Sequence, residues 1–226
     1  HGDFSHNPEP LPQHLTELAS LTRDSRASVG FAVDPDVDRL AIYSEDGEPF
    51  GEEYTLVAVA DYILQHTPGN TVSNLSSSRA LRDVTRRHGG EYHAAAVEGN
   101  GGVIYPASHH GRDALAGIAL FLSYLARTGK SPSQLKNTYP PYFMSKQKVE
   151  LTPGMDTDTV LQTMKERFRD HEVTDIDGVK IDFPDKWVHL RKSNTEPIIR
   201  IYSEAHTGQE AEEIGKQIID MIKELA

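Results

Sequence analysis

Residues 34–39, DPDVDR, place three carboxylates at alternate positions and follow them at once with an arginine. The apolar run 29–33, VGFAV, precedes this stretch and 40–43, LAIY, follows it, so we predict a strand on each side. In an extended segment, a period of two directs all three carboxylates to one side. Like charges this close repel one another unless a cation neutralises them, and oxygen ligands favour a hard cation such as Mg²⁺. The stretch predicts a metal site; an acidic turn that closes a hairpin is the alternative. The predicted ligands are Asp34, Asp36 and Asp38.

Composition narrows the class of protein. The 226 residues include no cysteine, which excludes disulfides, thiol catalysis and cysteine-ligated zinc and is compatible with the cytoplasmic location that we expect. The net charge of −11 argues against a general nucleic-acid binder, whose surface would be basic. No run approaches the ~20 apolar residues of a membrane helix, so we expect no membrane partner. Because the chain begins at His1 without an initiator methionine, we expect a fragment of a longer protein.

Helical and strand patterns alternate along the first part of the chain. We predict helices over 11–26, 52–65, 79–88 and 112–128, and further strands over 71–75 and 91–97. The first helix should turn Leu15, Leu18 and Leu21 towards the core. The alternation indicates βαβ units with parallel strands. We interpret residues 130–141, which carry three prolines, as a linker that could act as a hinge.

The pattern changes beyond this linker. We predict strands over 142–151, 173–176, 179–183 and 187–190, and helices over 156–169 and 207–225. These short elements indicate a small α+β unit, an antiparallel sheet with two helices. The predicted fold class is α/β, with βαβ-type mixed-sheet domains followed by this small α+β C-terminal domain.

Two further stretches carry candidate binding groups. Residues 98–102, EGNGG, combine three glycines, which let backbone approach a ligand closely, with a glutamate and an asparagine that can bind hydroxyls. A plain tight turn has the same composition. Residues 191–200, RKSNTEPIIR, reverse the charge locally in an acidic chain. Their cationic, hydroxyl and amide groups can surround a phosphate, although a solvated turn between strands is the alternative.

These three stretches, in this order, resemble motifs of the α-D-phosphohexomutase family, the phosphoglucomutases, phosphomannomutases and phosphoglucosamine mutases. Residues 34–39 are similar to the family's metal loop, 98–102 to its sugar-binding loop and 191–197 to its phosphate-binding loop. Residues 5–8, SHNP, resemble its phosphoserine motif. We assign them instead to a landmark at the entrance of domain two, because the preceding residues do not match and the metal loop follows too closely.

The resemblance implies the second half of a four-domain protein. Residues 1–48 would be the end of domain two, 49–136 domain three, and 137–226 domain four. The N-terminal domain, which carries the phosphoserine, would be missing, so this piece alone should be inactive. We also expect a missing segment between Val97 and Glu98, where the family has a further helix. The oligomeric state is left open.

The resemblance also implies chemistry. Mg²⁺ would bind at the three aspartates, and Arg39 would be catalytic by stabilising phosphate oxygens. Glu98 and Asn100 would bind the sugar, and the other phosphate would be held by Arg191, Ser193, Asn194, Thr195 and Arg200. Phosphate would move between the 1- and 6-positions of a hexose or hexosamine phosphate through a 1,6-bisphosphate. Phosphoglucosamine mutase is favoured over phosphomannomutase/phosphoglucomutase. The alternatives are a non-catalytic sugar-phosphate-binding protein of the same fold and a metal-dependent phosphatase.

Overall fold

The structure is a computed structural model of the chain, and it describes residues 2–4, 7–96, 102–152, 155–193 and 196–225. These residues form two compact units. The first unit comprises the described residues up to Val72, Arg79–His93, and those from 102 to Pro140. The second comprises Ser73–Ser78, residues 94–96 and those from Pro141 onwards. Among the described helices, none has the length and hydropathy needed to cross a bilayer.

The chain up to Pro140 alternates helices and short strands. A 3₁₀ turn at Pro12–His14 precedes α1 (Thr16–Asp24), β1 (Val29–Val33), β2 (Leu40–Ser44), α2 (Glu52–Leu64), β3 (Thr71–Asn74), α3 (Arg79–Arg87), β4 (Tyr92–Ala95), α4 (Ala114–Thr128) and α5 (Pro132–Lys136). β1 and β2 pair antiparallel, with Val33 opposite Leu40 at the open end of the acidic loop. β3 and β4 form a separate two-stranded sheet, so the described strands do not make the single parallel layer that the alternation predicted.

Aromatic packing fixes α4 against the first hairpin. Phe121 on α4 is fully buried and meets Phe50 edge-on, with ring centroids 5.0 Å apart. Phe31 on β1 makes a second edge-on contact with Phe121 at 6.3 Å. Such pairs contribute about 1 kcal/mol each beyond the area they bury. Because α4 begins beside the acidic loop, this packing determines which of its N-terminal residues reach that loop.

The predicted apolar face of the first helix is wrong at one position. Leu21 is 57% exposed, whereas Thr22 is buried and donates its hydroxyl to the carbonyl oxygen of Leu18. Thr22 lies against Gly30 of β1, where an added Cβ would come within 2.3 Å of the Thr22 hydroxyl oxygen. The close approach of helix and strand therefore selects the small hydrogen-bonded threonine over leucine. The helix is also shorter than predicted, because the chain is in a 3₁₀ turn before Leu15.

Most of the predicted linker over 130–141 is packed structure, although the boundary between the two units falls near its end, between Pro140 and Pro141. This stretch contains α5, which starts with Pro132 at its first position and has a full capping box between Ser131 and Gln134. Leu135 is fully buried and Tyr139 nearly so. Ser131 and Ser133 both bond the carboxylate of Glu45. The prolines that suggested a linker start and follow a packed helix, so no hinge is supported over 131–139.

The second unit is built on one five-stranded sheet. Its elements are β5 (Phe143–Glu150), α6 (Thr157–Arg167), β6 (Glu172–Thr174), β7 (Val179–Asp182), β8 (Trp187–Lys192), β9 (Ile198–Ala205) and α7 (Gly208–Lys223). The strand order is β5-β9-β8-β7-β6, and every neighbouring pair is antiparallel. This confirms the predicted antiparallel sheet with two helices. The interior strand β9 was not predicted, since its first residues were interpreted as part of the phosphate loop.

One face of this sheet forms the core with α6 and α7. The apolar side chains of this core alternate along β7, β8 and β9, as side chains on one sheet face do. They include Val149, Met164, Ile181, Val188, Leu190, Ile199, Ile201, Ile214, Ile218 and Ile222. Lys180, Trp187 and His189 are buried on the opposite face. Asp156 and Thr207 cap the two helices, each by accepting a backbone N–H at the third helical position.

Candidate functional site

The acidic loop gathers its carboxylates through a tight turn. Val37 adopts φ +59°, a left-handed conformation that is uncommon for a β-branched residue. The carbonyl oxygen of Asp34 accepts from the N–H of Val37 over 3.0 Å, and its Oδ1 accepts from the N–H groups of Asp38 and Arg39, both at 3.0 Å. The extended geometry that the sequence suggested is wrong. The convergence it predicted is nevertheless present.

Three carboxylates lie close enough to share one ion. Each of Asp34, Asp36 and Asp38 offers an oxygen, and these oxygens all lie within 4.8 Å of one another. Asp34 is 8% exposed, Asp38 is half-buried and Asp36 faces solvent. The combination of a buried ligand, Asp34, and a solvent-facing ligand, Asp36, suits a cation that keeps some of its water.

Two arginines surround the loop. Arg39 Nε lies 3.5 Å from Asp34 Oδ2 and 4.0 Å from Asp38 Oδ1, and its Nη1 bonds Glu9 at 3.2 Å. Arg112 contacts Asp38 Oδ2 directly through Nη2. Arg39 was predicted here, whereas the sequence reasoning missed Arg112. The sequence signal for its position was Asp113, because aspartate is favoured at helix N-caps. Asp113 is the N-cap of α4, so Arg112 lies just before this helix.

The carboxylates differ in their proton affinity. Burial alone would raise the pKa of Asp34, but the backbone N–H groups of Arg39 and Asp38 outweigh it and hold this pKa below its usual value. Burial and the adjoining Asp34 carboxyl raise the pKa of Asp38, against the opposing charge of Arg112. Asp38 Oδ1 is buried and has no hydrogen-bond partner among the described residues. Arg39 Nε lies 4.0 Å from this oxygen, too far away for a hydrogen bond. The oxygen-only donor set fits a hard divalent cation.

The glycine-rich stretch is only partly described. Glu98 and Asn100, the predicted sugar ligands, lie outside the described residues, as does the predicted break between Val97 and Glu98. Gly102, its last residue, packs against the side chain of Arg112. The neighbouring His109 bonds the N-cap carboxylate of Asp113 over 2.9 Å and so has a structural partner.

The cationic stretch spans a strand, a turn and a second strand. Arg191 is the penultimate residue of β8, and Arg200 of β9 lies directly opposite it in the register. On the other side of β9, Arg200 is paired in turn with Lys148 of β5. Like charges directly opposite one another across strands are unfavourable, so this row of three favours a bound anion. Sequence reasoning missed Lys148, because its place follows from the register of a strand that was not predicted.

The partners of the predicted phosphate ligands are local. Arg191 forms an ion pair with Asp177 at 2.9 Å, and the backbone N–H of Ser193 donates to the carbonyl oxygen of Ile198 over 3.1 Å. Arg200 is exposed. Asn194 and Thr195 lie outside the described residues.

The described part of the chain is a mixed α/β protein in which three acidic side chains converge in one loop. The family model for phosphoglucomutase/phosphomannomutase, alpha/beta/alpha domain II, matches residues 1–47, which include the acidic loop. The model for the phosphoglucomutase/phosphomannomutase C-terminal domain matches residues 148–221, which include the cationic stretch. The chain belongs to the α-D-phosphohexomutase family, as the three motifs predicted.

Curated relatives carry phosphohexomutase names. The probable phosphoglucosamine mutase of Methanopyrus kandleri is 30% identical, over 96% of this chain and 52% of its own length. The phosphoglucomutase/phosphomannomutase of Thermococcus kodakarensis is also 30% identical, with the same two coverages of 96% and 52%. The chain spans about half the length of the curated relatives it matches.

Solved structures share the fold. A phosphoglucomutase/phosphomannomutase family protein from Burkholderia thailandensis superposes with a TM-score of 0.82 at 24% identity, over 97% of this chain and 52% of that one. An N-acetylphosphoglucosamine mutase from Aspergillus fumigatus, in complex with GlcNAc-6P and magnesium, superposes with a TM-score of 0.56 at 14% identity. The match covers 84% of this chain and 51% of that one. These likenesses confirm the predicted α/β fold class.

Proposed function

We propose that this chain supplies the metal, sugar and phosphate sites of a phosphohexomutase. The enzyme would move phosphate between the 1- and 6-positions of a hexose or hexosamine phosphate through a 1,6-bisphosphate, using a phosphoserine from another domain. The proposal is carried by the acidic loop, where three carboxylate oxygens lie within 4.8 Å and one buried oxygen has no described hydrogen-bond partner. The names of the curated relatives support the same activity.

Asp34, Asp36 and Asp38 would hold Mg²⁺. When bound there, the ion would neutralise phosphate oxygens and make the phosphorus a better electrophile. Arg39 would stabilise the charge that develops on the same oxygens, since its guanidinium lies 3.5 Å from Asp34. The A. fumigatus mutase, whose solved structure is a complex with magnesium, favours this metal.

The remaining predicted residues would bind substrate. Glu98 and Asn100 would bind sugar hydroxyls. The non-reacting phosphate would be held by Arg191, Ser193, Asn194, Thr195 and Arg200. The pairing of Arg191 opposite Arg200 supports this role, because two cations at one level of the sheet are stabilised by a shared anion. Anchoring one phosphate positions the other end of the sugar for transfer.

Glucosamine phosphate is the substrate we favour. The relatives include proteins named probable phosphoglucosamine mutase and one named phosphoglucomutase/phosphomannomutase. Side-by-side assays of glucosamine, mannose and glucose phosphates decide between them. Equal turnover of all three sugars would contradict a glucosamine enzyme.

Asp36→Asn in the complete protein tests the activity. Asp36 is exposed, so the substitution should leave the fold intact while removing a charged ligand. We expect turnover to fall below detection, as followed by ³¹P NMR with a catalytic amount of 1,6-bisphosphate. Glu48→Gln, an exposed carboxylate on the β2 side of the hairpin, is the matched control. Retained turnover in Asp36→Asn would contradict the metal site, and release of inorganic phosphate by the wild type would indicate a phosphatase.

A further inference from the structure

One side chain contacts both the acidic loop and the glycine-rich stretch. The Arg112 guanidinium contacts Asp38 Oδ2. Its aliphatic stem lies against Gly102, where an added Cβ would come within 2.3 Å of Arg112 Cδ and 2.8 Å of Cγ. Gly102 is the last residue of the stretch 98–102. Only a glycine leaves room for the stem in this position.

The backbone directly after Arg112 is held by two hydrogen bonds. The N–H of Asp113 donates to the carbonyl oxygen of Val103 over 2.8 Å, next to Gly102. The N–H of Ala114 donates to the carbonyl oxygen of Val37 over 3.1 Å, inside the acidic loop. The backbone position of Arg112 is therefore fixed, which limits the positions that its guanidinium can occupy.

The contact with Asp38 leaves one of its oxygens available. Oδ2 is engaged by Arg112, whereas Oδ1 is buried and has no hydrogen-bond partner among the residues that the structure describes. A planar guanidinium fixes the orientation of a carboxylate, which a lysine ammonium does less well. The arginine thus determines which Asp38 oxygen can meet a cation.

We propose that Arg112 is a positioning residue that orients Asp38 for cation binding and couples Gly102 to the acidic loop. The inference rests on the metal site of the proposed function. Arg112 acts through Asp38 and need not touch substrate. A partner that orients a metal ligand typically changes metal affinity by about 10- to 100-fold when it is removed.

Calorimetric titration of Mg²⁺ into the 226-residue chain tests the orienting role. We expect Arg112→Met to bind Mg²⁺ about tenfold more weakly than the wild type, and Arg112→Lys to recover part of the loss. Arg127→Met, at the exposed far end of α4, is the matched control and should bind as the wild type does. Circular dichroism checks folding first, and Arg112→Gln replaces a variant that unfolds. Equal or tighter binding after removal of Arg112 overturns the inference.

A double-mutant cycle tests the coupling. A Cβ at Gly102 must displace the Arg112 stem, so Gly102→Ala should weaken Mg²⁺ binding in the wild type. In Arg112→Ala the stem is gone, so the same change should have no further effect. Equal effects in both backgrounds overturn the coupling. Absence of Mg²⁺ binding to the wild type would remove the proposed metal site and this inference together, whereas binding that ignores Arg112 removes this inference alone.

Discussion

The carbonyl oxygen of Val37 accepts a hydrogen bond from the N–H of Ala114, the first residue of α4, over 3.1 Å. The first N–H groups of a helix have no partner within the helix, and this one is satisfied by the acidic loop. Val37 makes this contact from a left-handed conformation, with φ +59°. The residue with the strained backbone is therefore the one whose hydrogen bond joins the acidic loop to α4.

Replacing Val37 by glycine and by alanine separates this backbone strain from side-chain packing. Both substitutions remove most of the side chain, but only glycine adopts positive φ without a steric cost. We expect Val37→Gly to be about 1 kcal/mol more stable than Val37→Ala, as measured by urea unfolding. At a residue with an ordinary φ, a glycine variant is less stable than the alanine variant. An unfolding free energy of Val37→Ala equal to or above that of Val37→Gly would therefore contradict strain at this residue.

Asp34 has a structural role that Asp36 lacks. Its carboxylate accepts two backbone N–H groups, whereas Asp36 is exposed. Asp34→Ala should cost about 2 kcal/mol of unfolding free energy, because both donors lose their partner. Asp34→Asn keeps an acceptor oxygen and should cost less than about 1 kcal/mol.

The two aspartates should nevertheless behave alike towards a cation. Asp34→Asn and Asp36→Asn each remove one charged ligand, so both should lose the Mg²⁺-dependent rise in melting temperature. A wild-type rise that persists in either variant would contradict the ligand set. An Asp34→Ala protein as stable as the wild type would contradict the turn-forming role.

Local patterns predicted much of the fold. The apolar runs beside the acidic loop became β1 and β2, and Asp156 and Thr207 mark the starts of α6 and α7. These signals are the hydrophobic period of the strands and the capping residues of the helices. Each lies within a few residues of the element that it specifies. The convergence of the three aspartates was also predicted, although the reason was a turn at Val37 rather than an extended strand.

Non-local contacts account for what the sequence did not reveal. The proline-rich stretch looked like a linker because nothing nearby shows that Glu45 anchors it through Ser131. Arg112 reaches Asp38 only because α4 packs on the hairpin. Lys148 joins Arg200 through strand register, which a sequence does not display.

Asp61 is a buried carboxylate with four close donors. It is 2% exposed, and its oxygens accept from Arg87 and His88 at 2.7 Å each and from Tyr124 and Tyr139 at 2.6 and 3.0 Å. Burial alone would raise the pKa of Asp61, but the bonds from Tyr124, His88 and Arg87 outweigh it and lower this pKa. The stability it contributes is therefore present above its unfolded pKa of about 4 and lost as pH falls below that value.

Removing this carboxylate should be among the costliest substitutions in the first unit. Asp61→Ala leaves buried hydroxyls and a guanidinium unpaired, and we expect a loss of about 3 kcal/mol in unfolding free energy. Tyr139→Phe removes one of the four close donors and should cost about 1 kcal/mol. Asp24→Asn, on an exposed carboxylate, is the control and should change stability by less than about 0.5 kcal/mol. Equal losses in Asp61→Ala and Tyr139→Phe would contradict the shared network.

His189 is a buried neutral histidine in the second unit. Its Nε2 donates to the carbonyl oxygen of Asp177 at 2.6 Å, so Nδ1 accepts from the Ser76 hydroxyl at 2.8 Å. Burial lowers the pKa of His189 to about 4, the bond to Asp177 opposes this shift, and the charges of Lys180 and Arg191 add to it. A proton on Nδ1 would break the bond from Ser76.

Stability should therefore fall with acid in a window set by this histidine. Because the folded pKa of about 4 lies below the unfolded value near 6.5, the unfolded chain binds the proton first. The contribution of neutral His189 to the unfolding free energy is complete above pH 6.5. It should shrink by up to about 3 kcal/mol as the pH falls to 4. Urea unfolding at pH 7.5, 5.5 and 4.5 measures this loss. His189→Gln keeps a donor and an acceptor without titrating, so its unfolding free energy should change less over the same range. The exposed His206→Gln should retain the wild-type slope, and the same slope in His189→Gln would assign the acid sensitivity to other groups.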